Sequence, residues 1–310
     1  MWNADKIVYR NDDSFVRAYQ GGELVWEKPS SNNKIFYTST DGQVITPRTD
    51  MYGWGANIVS NTYDEFGVIE FDGDVIRFPN KAFYNYQNLK SIVIPDSVIR
   101  LGEYALGTCH SLTSVKIGSG VKNIWDAAFI NCINLKSIEL PESVETIDAN
   151  AFASCGFTSI VIPGGVKTIG SGAFSNCKSL TSVVFNYGIT SIGKEAFRGC
   201  IKLVSVDIPD SVMRIGEQAF YCPPEYQSNL TTVNIGNSVT NIGGSAFEYN
   251  RNLTSITINV VTPPVLGGIE SSGGGVFDGS FADIRVPKES VDVYKTSPKW
   301  SYYADRIVAQ

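Results

Sequence analysis

Apolar positions in this chain recur in short alternating runs rather than in helical stripes. Around Leu203, Val206 and Ile208 they alternate at the end of the run with Ser205 and Asp207, the period of two expected of a strand with one buried face. Pro209-Asp210 predicts a turn. Val212 and Ile215 then re-enter the core, Gly216 predicts a tight bend where a side chain does not fit, and Ala219-Phe220 closes the segment. The same order, L-x-S-I-x-I-P-x-x-V-x-x-I-G-x-x-A-F-x-x-C, repeats along the chain. Its Ala-Phe pair stands at Ala82-Phe83, Ala128-Phe129, Ala151-Phe152, Ala173-Phe174, Ala196-Phe197, Ala219-Phe220 and Ala246-Phe247, with Ala105-Leu106 in the remaining slot. The steps are 23, 23, 23, 22, 23, 23 and 27 residues. A unit this short cannot cover its own apolar face, but stacked copies bury it against their neighbours. The pattern predicts a repeat solenoid, mainly β: a right-handed stack of about eight 23-residue coils with an inner phenylalanine column.

These strings resemble the BspA-like class of leucine-rich repeats over about residues 34–310, because the period and the Ile-Pro, Ile-Gly, Ala-Phe and Cys positions recur in order. IFYTSTDGQVITP followed by GANIVSNTYDEFGVIEFDGDVIRFPNKAF resembles the entry cap of such repeats, and ADIRVPKESVDVYKTSPKWSYYADRIVAQ their closing cap. The resemblance implies protein recognition and surface adhesion without a catalytic centre. The organisation that follows is a small β unit at 1–30, a cap and first coil at 31–80, repeats at 81–262, and an irregular last coil with its cap at 263–310.

Charge narrows the partners. Lys+Arg 25 against Asp+Glu 31 gives a net charge of -6, which supplies no attraction to nucleic acid or anionic lipid. No run of about 18 apolar residues suggests membrane insertion. The opening MWNADKIVYR lacks the basic-then-apolar pattern of a secretory signal. Either export by that route does not occur or a signal preceded this numbering.

The candidate chemistry is sparse. The six cysteines, Cys109, Cys132, Cys155, Cys177, Cys200 and Cys222, follow the Phe or Leu of their coils by three residues, Cys222 by two, and so form a column. Side chains in a stacked column point in parallel, so reduced, buried thiols are expected rather than disulfides. No CxxC pair suggests zinc, and no other metal or cofactor is called for. His110, the sole histidine, sits in a connecting loop and is read as an ordinary polar residue rather than a catalytic base. Asp12-Asp13 and Asp72/Asp74 read as turn residues rather than a glycosidase pair. Gly267-Gly268 and Gly273-Gly274-Gly275 lack the Gly-Lys-Ser/Thr ending of a phosphate loop and read as a flexible excursion. No catalytic residue is assigned.

Outward strand positions should align into columns. Ser91, Ser114, Ser137, Ser159, Ser182, Ser205, Thr232 and Ser255 form a nearly invariant one, which predicts hydrogen bonding along the stack. The next column is varied, with Lys116, Glu139, Asp207 and Asn234 among its members. It is either read by a partner or free to drift. The period breaks between Phe220 and Leu230, where ten residues replace six. The extra chain, YCPPEYQSN, offers Tyr221 and Tyr226, with Tyr249 at the corresponding edge of the next coil. It is either a binding patch or a tolerated insertion; tyrosines supply contact area at low entropy cost.

Residues 1–30 lie outside the repeat. Two alternating runs with Gly21-Gly22 between Val16–Tyr19 and Leu24–Trp26 predict a hairpin, with Tyr19 and Trp26 as candidate assembly residues. A unit so short should dock on a neighbour or another copy. This segment resembles the openings of tail-associated proteins of phages and prophages from anaerobic gut bacteria, which implies a virion component contacting other virion proteins through 1–30. The resulting functions are a phage-tail protein for host-surface recognition, a secreted or cell-surface adhesin binding host proteins, or a structural spacer. In the first two the partner is a protein or glycan on a cell surface.

Overall fold

The inward residues of successive coils set the architecture, because each coil exposes an apolar edge that only the next can cover. The computed structural model describes residues 6–9, 16–20, 23–28, 32–268 and 274–310. The chain divides into two compact units, 1–144 and 145–310, and both are built of coils.

In the first unit, strands Lys6–Tyr9, Val16–Gln20 and Glu23–Lys28 form an antiparallel sheet. Tyr19 pairs with Leu24 and Trp26 with Ala18 in register. The side chains of Tyr19 and Trp26 and the Gly21-Gly22 turn lie outside the described residues. A five-stranded sheet follows, in the order Ser114–Lys116, Leu89–Val93, Lys34–Ser39, Gly67–Phe71, Ile58–Tyr63. Its first two strands are parallel, as stacked coils require, and the other pairings are antiparallel. The antiparallel strands are the entry cap: they cover a sheet edge that would otherwise be open to other chains. Beneath them the Trp54 ring packs 5.5 Å from Phe71, 5.0 Å from Phe78 and 6.0 Å from Phe83. Gly67 lies under the Tyr37 ring, where a Cβ would come within 2.0 Å of it. Short parallel strands Arg77–Phe78, Arg100–Leu101 and Asn123–Ile124 make a further array in this unit.

The second unit holds two parallel arrays. Ser159–Ile162 pairs with Ser182–Phe185, and Ser205–Ile208, Thr232–Ile235, Ser255–Ile258, Asp283–Val286 and Ile307–Ala309 pair in turn. A second array runs from Thr146–Ile147 through Thr168–Ile169, Ser191–Ile192, Arg214–Ile215 and Asn241–Ile242 to Val265–Leu266. Between them the rings of Phe152, Phe174, Phe197 and Phe220 stack 5.2–5.3 Å apart, nearly parallel. The stack continues to Phe247 at 5.1 Å and Phe277 at 5.7 Å.

Phe277 corrects the reading of the coil that opens 263–310 as irregular. Val276-Phe277 occupies the Ala-Phe position, since Phe247 N donates to Val276 O (2.9 Å) just as Phe220 N donates to Ala246 O (2.7 Å). The stack therefore continues past the eighth Ala-Phe signature. The glycines Gly267, Gly268, Gly274 and Gly275 are part of that coil, while residues 269–273 lie outside the described residues. Trp300 and Tyr303 close the unit on Phe277; Trp300 Nε1 donates to Pro264 O (2.7 Å) and Tyr294 Oη to Val260 O (2.7 Å).

Three further details differ from the sequence pattern. Residues 137–139 form no strand, so Glu139 is exposed on irregular backbone. The bend assigned to Gly216 has its left-handed residue at Gln218 (φ 54°), one of a series that includes Lys81, Tyr104, Asn150, Glu195 and Ser245. Gly216 is needed for close approach instead: a Cβ there would lie 2.5 Å from the Gly193 carbonyl carbon. Beside the serine column, the hydroxyls that bond along the stack are threonines one residue before it. Thr113, Thr181, Thr231 and Thr254 each donate Oγ1 and N–H to one carbonyl of the preceding coil, at 2.8–3.2 Å. Ser91 bonds to Thr38 Oγ1 (2.6 Å), but Ser159, Ser182 and Ser205 present their side chains to solvent.

Candidate functional site

All six cysteines are free and buried. In their slot a thiol satisfies a backbone carbonyl of the preceding coil. Cys109, Cys177 and Cys200 donate Sγ–H to the carbonyls of Phe83, Phe152 and Phe174 at 3.0–3.2 Å, and Cys132 to Leu106 at 3.2 Å. Asn250 fills the same slot and donates Nδ2 to Phe220 O and Phe247 O, both at 2.9 Å. Burial pushes the Cys109 and Cys200 thiols far up, so these groups stay protonated and unreactive. His110 lies in the first unit and its carbonyl accepts from Asn134 Nδ2 (2.8 Å). Among the described residues no group of three or more His, Cys, Asp and Glu could hold a metal ion.

The insertion after Phe220 is where polar and aromatic side chains gather. Its ends are fixed: Cys222 and Pro223 are buried, and buried Ser228 donates Oγ to Asn250 Oδ1 (2.6 Å). Pro224, Glu225 and Gln227 are exposed between them. Tyr221 and Tyr249 meet edge to face, ring centroids 5.7 Å apart. Arg198 lies over Tyr221 at 5.4 Å and Arg251 over Tyr249 at 5.7 Å. Lys178 Nζ sits 4.5 Å from the Tyr226 ring centre and 2.9 Å from its hydroxyl. Burial raises the Tyr221 phenol above its usual range, helped by the Glu248 carboxylate and opposed by Arg198. The Arg198 Nε is buried without a partner. The result is an edge of half-buried tyrosines, each paired with a cation, able to offer hydroxyls, ring faces and N–H donors to a ligand carrying acceptor groups.

Tyr221 and Tyr249 thus come together in direct contact, and Tyr226 is held by Lys178. The sequence pattern did not single out the three cations. Arg198 follows Phe197 as Tyr221 follows Phe220, so the coil register carried the signal for that one pair. The residues of the varied column are divided between the two units. Lys116 and Glu139 belong to the first unit; Asp207 and Asn234 belong to the second, where Asn234 Nδ2 donates to Asp207 Oδ1 across adjacent strands.

The family model described as the BspA type leucine rich repeat region matches residues 58–181 and 145–263, with 6 copies. No curated protein matches. Among solved structures, a leucine-rich repeat protein from Bacteroides ovatus aligns over 92% of this chain and 70% of its own, at 23% identity and a TM-score of 0.51. A leucine-rich repeat protein of T. pallidum is 32% identical over 48% of this chain and 71% of that one, with a TM-score of 0.46. A leucine rich cell surface protein from Faecalibacterium prausnitzii is 26% identical over 60% and 71%, with a TM-score of 0.35.

Proposed function

Since this chain belongs to the BspA-type leucine-rich repeat family, we propose that it is a non-enzymatic recognition protein that engages a protein or glycan of a cell surface. The observation that carries this reading is the edge formed by Tyr221, Tyr226 and Tyr249 with Arg198, Arg251 and Lys178. Side chains of this kind supply most of the energy of recognition surfaces. Here they project from rigid coils, so little entropy is lost when they bind. Replacing the three tyrosines by alanine should weaken capture of the partner from a host surface fraction by about a hundredfold, as expected for residues worth about 3 kcal/mol together. The fold should persist, because none of the three belongs to the phenylalanine stack. Unchanged capture by a folded variant rejects the edge as the site, and no capture by the parent chain favours a structural spacer.

A second reading rests on the antiparallel sheet of Lys6–Tyr9, Val16–Gln20 and Glu23–Lys28, which lies in the segment resembling phage-tail openings. In it the chain is a virion component attached to other tail proteins through residues 1–30, with the repeats facing the host. Mass spectrometry of purified particles and of the cell-surface fraction separates the two: recovery from cells and never from particles rejects the virion reading.

A further inference from the structure

One cluster of charge in the first unit is used neither by the core nor by the tyrosine edge. Arg77 and Arg100 are register partners in adjacent parallel strands, with Asn123 next in the column. Their neighbours Phe78, Leu101 and Ile124 point into the core, leaving the two arginines half-buried on the outer face. Adjacent parallel strands lie only about 4.8 Å apart, and like charges set directly side by side repel. Yet among the described residues neither guanidinium has an ion pair or a side-chain hydrogen bond. The arrangement opposes folding slightly and leaves the N–H donors of both forks unfilled, about five per guanidinium.

Trp125 stands beside them in an unusual place. The Ile-Gly step of the repeat puts glycine at Gly102, Gly170, Gly193, Gly216 and Gly243, where a Cβ would strike backbone of the preceding coil. In the third coil the residue is Trp125, half-buried, with its N–H still bonded to Leu101 O (3.1 Å). The Arg100 guanidinium lies 3.9 Å from its ring centre. Contact with a ring face leaves the N–H donors of a guanidinium available, and these are the groups that fork onto an oxyanion. Tyr104, whose N–H donates to Asp126 O (3.0 Å) one residue after Trp125, is half-buried and meets half-buried Tyr84 in edge contact at 5.5 Å, with Lys81 5.9 Å from Tyr104.

We propose that Arg77, Arg100 and Trp125 form a site for the sulfate group of a sulfated glycan. Two forks side by side match an anion with several oxygens better than a lone carboxylate, which one fork already satisfies. The half-buried aromatic rings offer flat apolar surface of the kind that covers the C–H face of a sugar ring. An extended peptide finds less to pair with: these strands are two residues long, Arg100–Leu101 is paired on both sides, and the Arg77 N–H is taken by Trp54 O (3.4 Å). The net charge of -6 makes indiscriminate attraction to polyanions weak, so binding must come from a local cluster.

The test is binding of the full chain to chondroitin sulfate, measured by calorimetry against the desulfated polymer and against polyglutamate. The double substitution Arg77→Gln/Arg100→Gln should lower affinity about a hundredfold, since each charge-assisted contact is worth about tenfold or more. Trp125→Gly places here the glycine found at 102, 170, 193, 216 and 243 and so should fold; it should weaken binding about tenfold, as loss of a stacked cation–π partner does. Arg214→Gln, which removes an exposed cation from the same strand position in the second unit, is the control and should leave affinity unchanged. An equal loss with Arg214→Gln, no loss with the double substitution, or binding of the desulfated polymer or polyglutamate as tight as that of the sulfated one overturns the proposal.

Discussion

At the scale of the residue, each coil is held by a few side chains with no freedom to vary. Phe197 is almost fully buried, with ring neighbours 5.2 Å away on both sides. Phe197→Ala removes both stacks and leaves a cavity, and should cost about 3–5 kcal/mol, measurable as a shift in the urea midpoint. The cysteine slot places a side-chain donor against a carbonyl of the preceding coil, which explains why asparagine can replace cysteine at 250. A thiol reagent should modify almost none of the six cysteines in the native protein and all of them in denaturant. Three of the thiols set an alkaline limit. The folded pKa values of Cys109, Cys200 and Cys222 are raised by burial, so above the unfolded value of about 8.5 the unfolded chain holds fewer protons than the native one and stability falls with pH. Tyr37, Tyr294 and Tyr303, also raised by burial, add to the fall above about 10. Urea midpoints at pH 7 and pH 10 check the sign; an unchanged or higher midpoint at pH 10 contradicts it.

At the scale of the element, a coil tolerates change where it leaves the stack and resists it where two backbones touch. A Cβ at Gly216 would meet backbone atoms of Gly193 and Lys194 at 2.5 Å, and backbone cannot rotate aside as a side chain can. Gly216→Ala should therefore cost about 1–3 kcal/mol by thermal or chemical unfolding. The insertion behaves in the opposite way. Removing residues 224–227 restores the six-residue step of the other coils; Pro224, Glu225 and Gln227 are exposed, and the Tyr226 side chain is held by Lys178 at the surface. Exposed pairs contribute about 0–1 kcal/mol, so this deletion should leave the midpoint nearly unchanged while removing one tyrosine of the binding edge. The entry and closing caps are likewise elements with a physical purpose: antiparallel strands at one end, and Trp300 and Tyr303 at the other, cover apolar coil faces that have no further coil to cover them.

At the scale of the molecule, charge and repetition govern behaviour. A net charge of -6 with a pI of about 5.0 keeps the chain soluble near neutrality and should give a solubility minimum near pH 5, read by turbidity against pH. Much of the fold was written in the sequence, because burial in a stacked coil depends on position within the coil. The spacing of Ala-Phe, Ile-Gly and Cys therefore identified the inner column and the buried thiols directly, while both caps were read from the resemblance to the repeat family. It missed Val276-Phe277 because that pair lacks the Ala-Phe letters while filling the same volume, and it placed the stacking hydroxyls one residue late because period two does not say which hydroxyl reaches a carbonyl. The sites were less legible. Tyr221 and Tyr249 stood out as tyrosines at an irregular edge, but Lys178, Arg198 and Arg251 became their partners, and Arg100 the partner of Trp125, only through neighbours in other coils. Sequence determines what each coil buries, since the repeat enforces it locally; tertiary structure decides which outward side chains meet, since that depends on register, insertion length and corner geometry summed across coils.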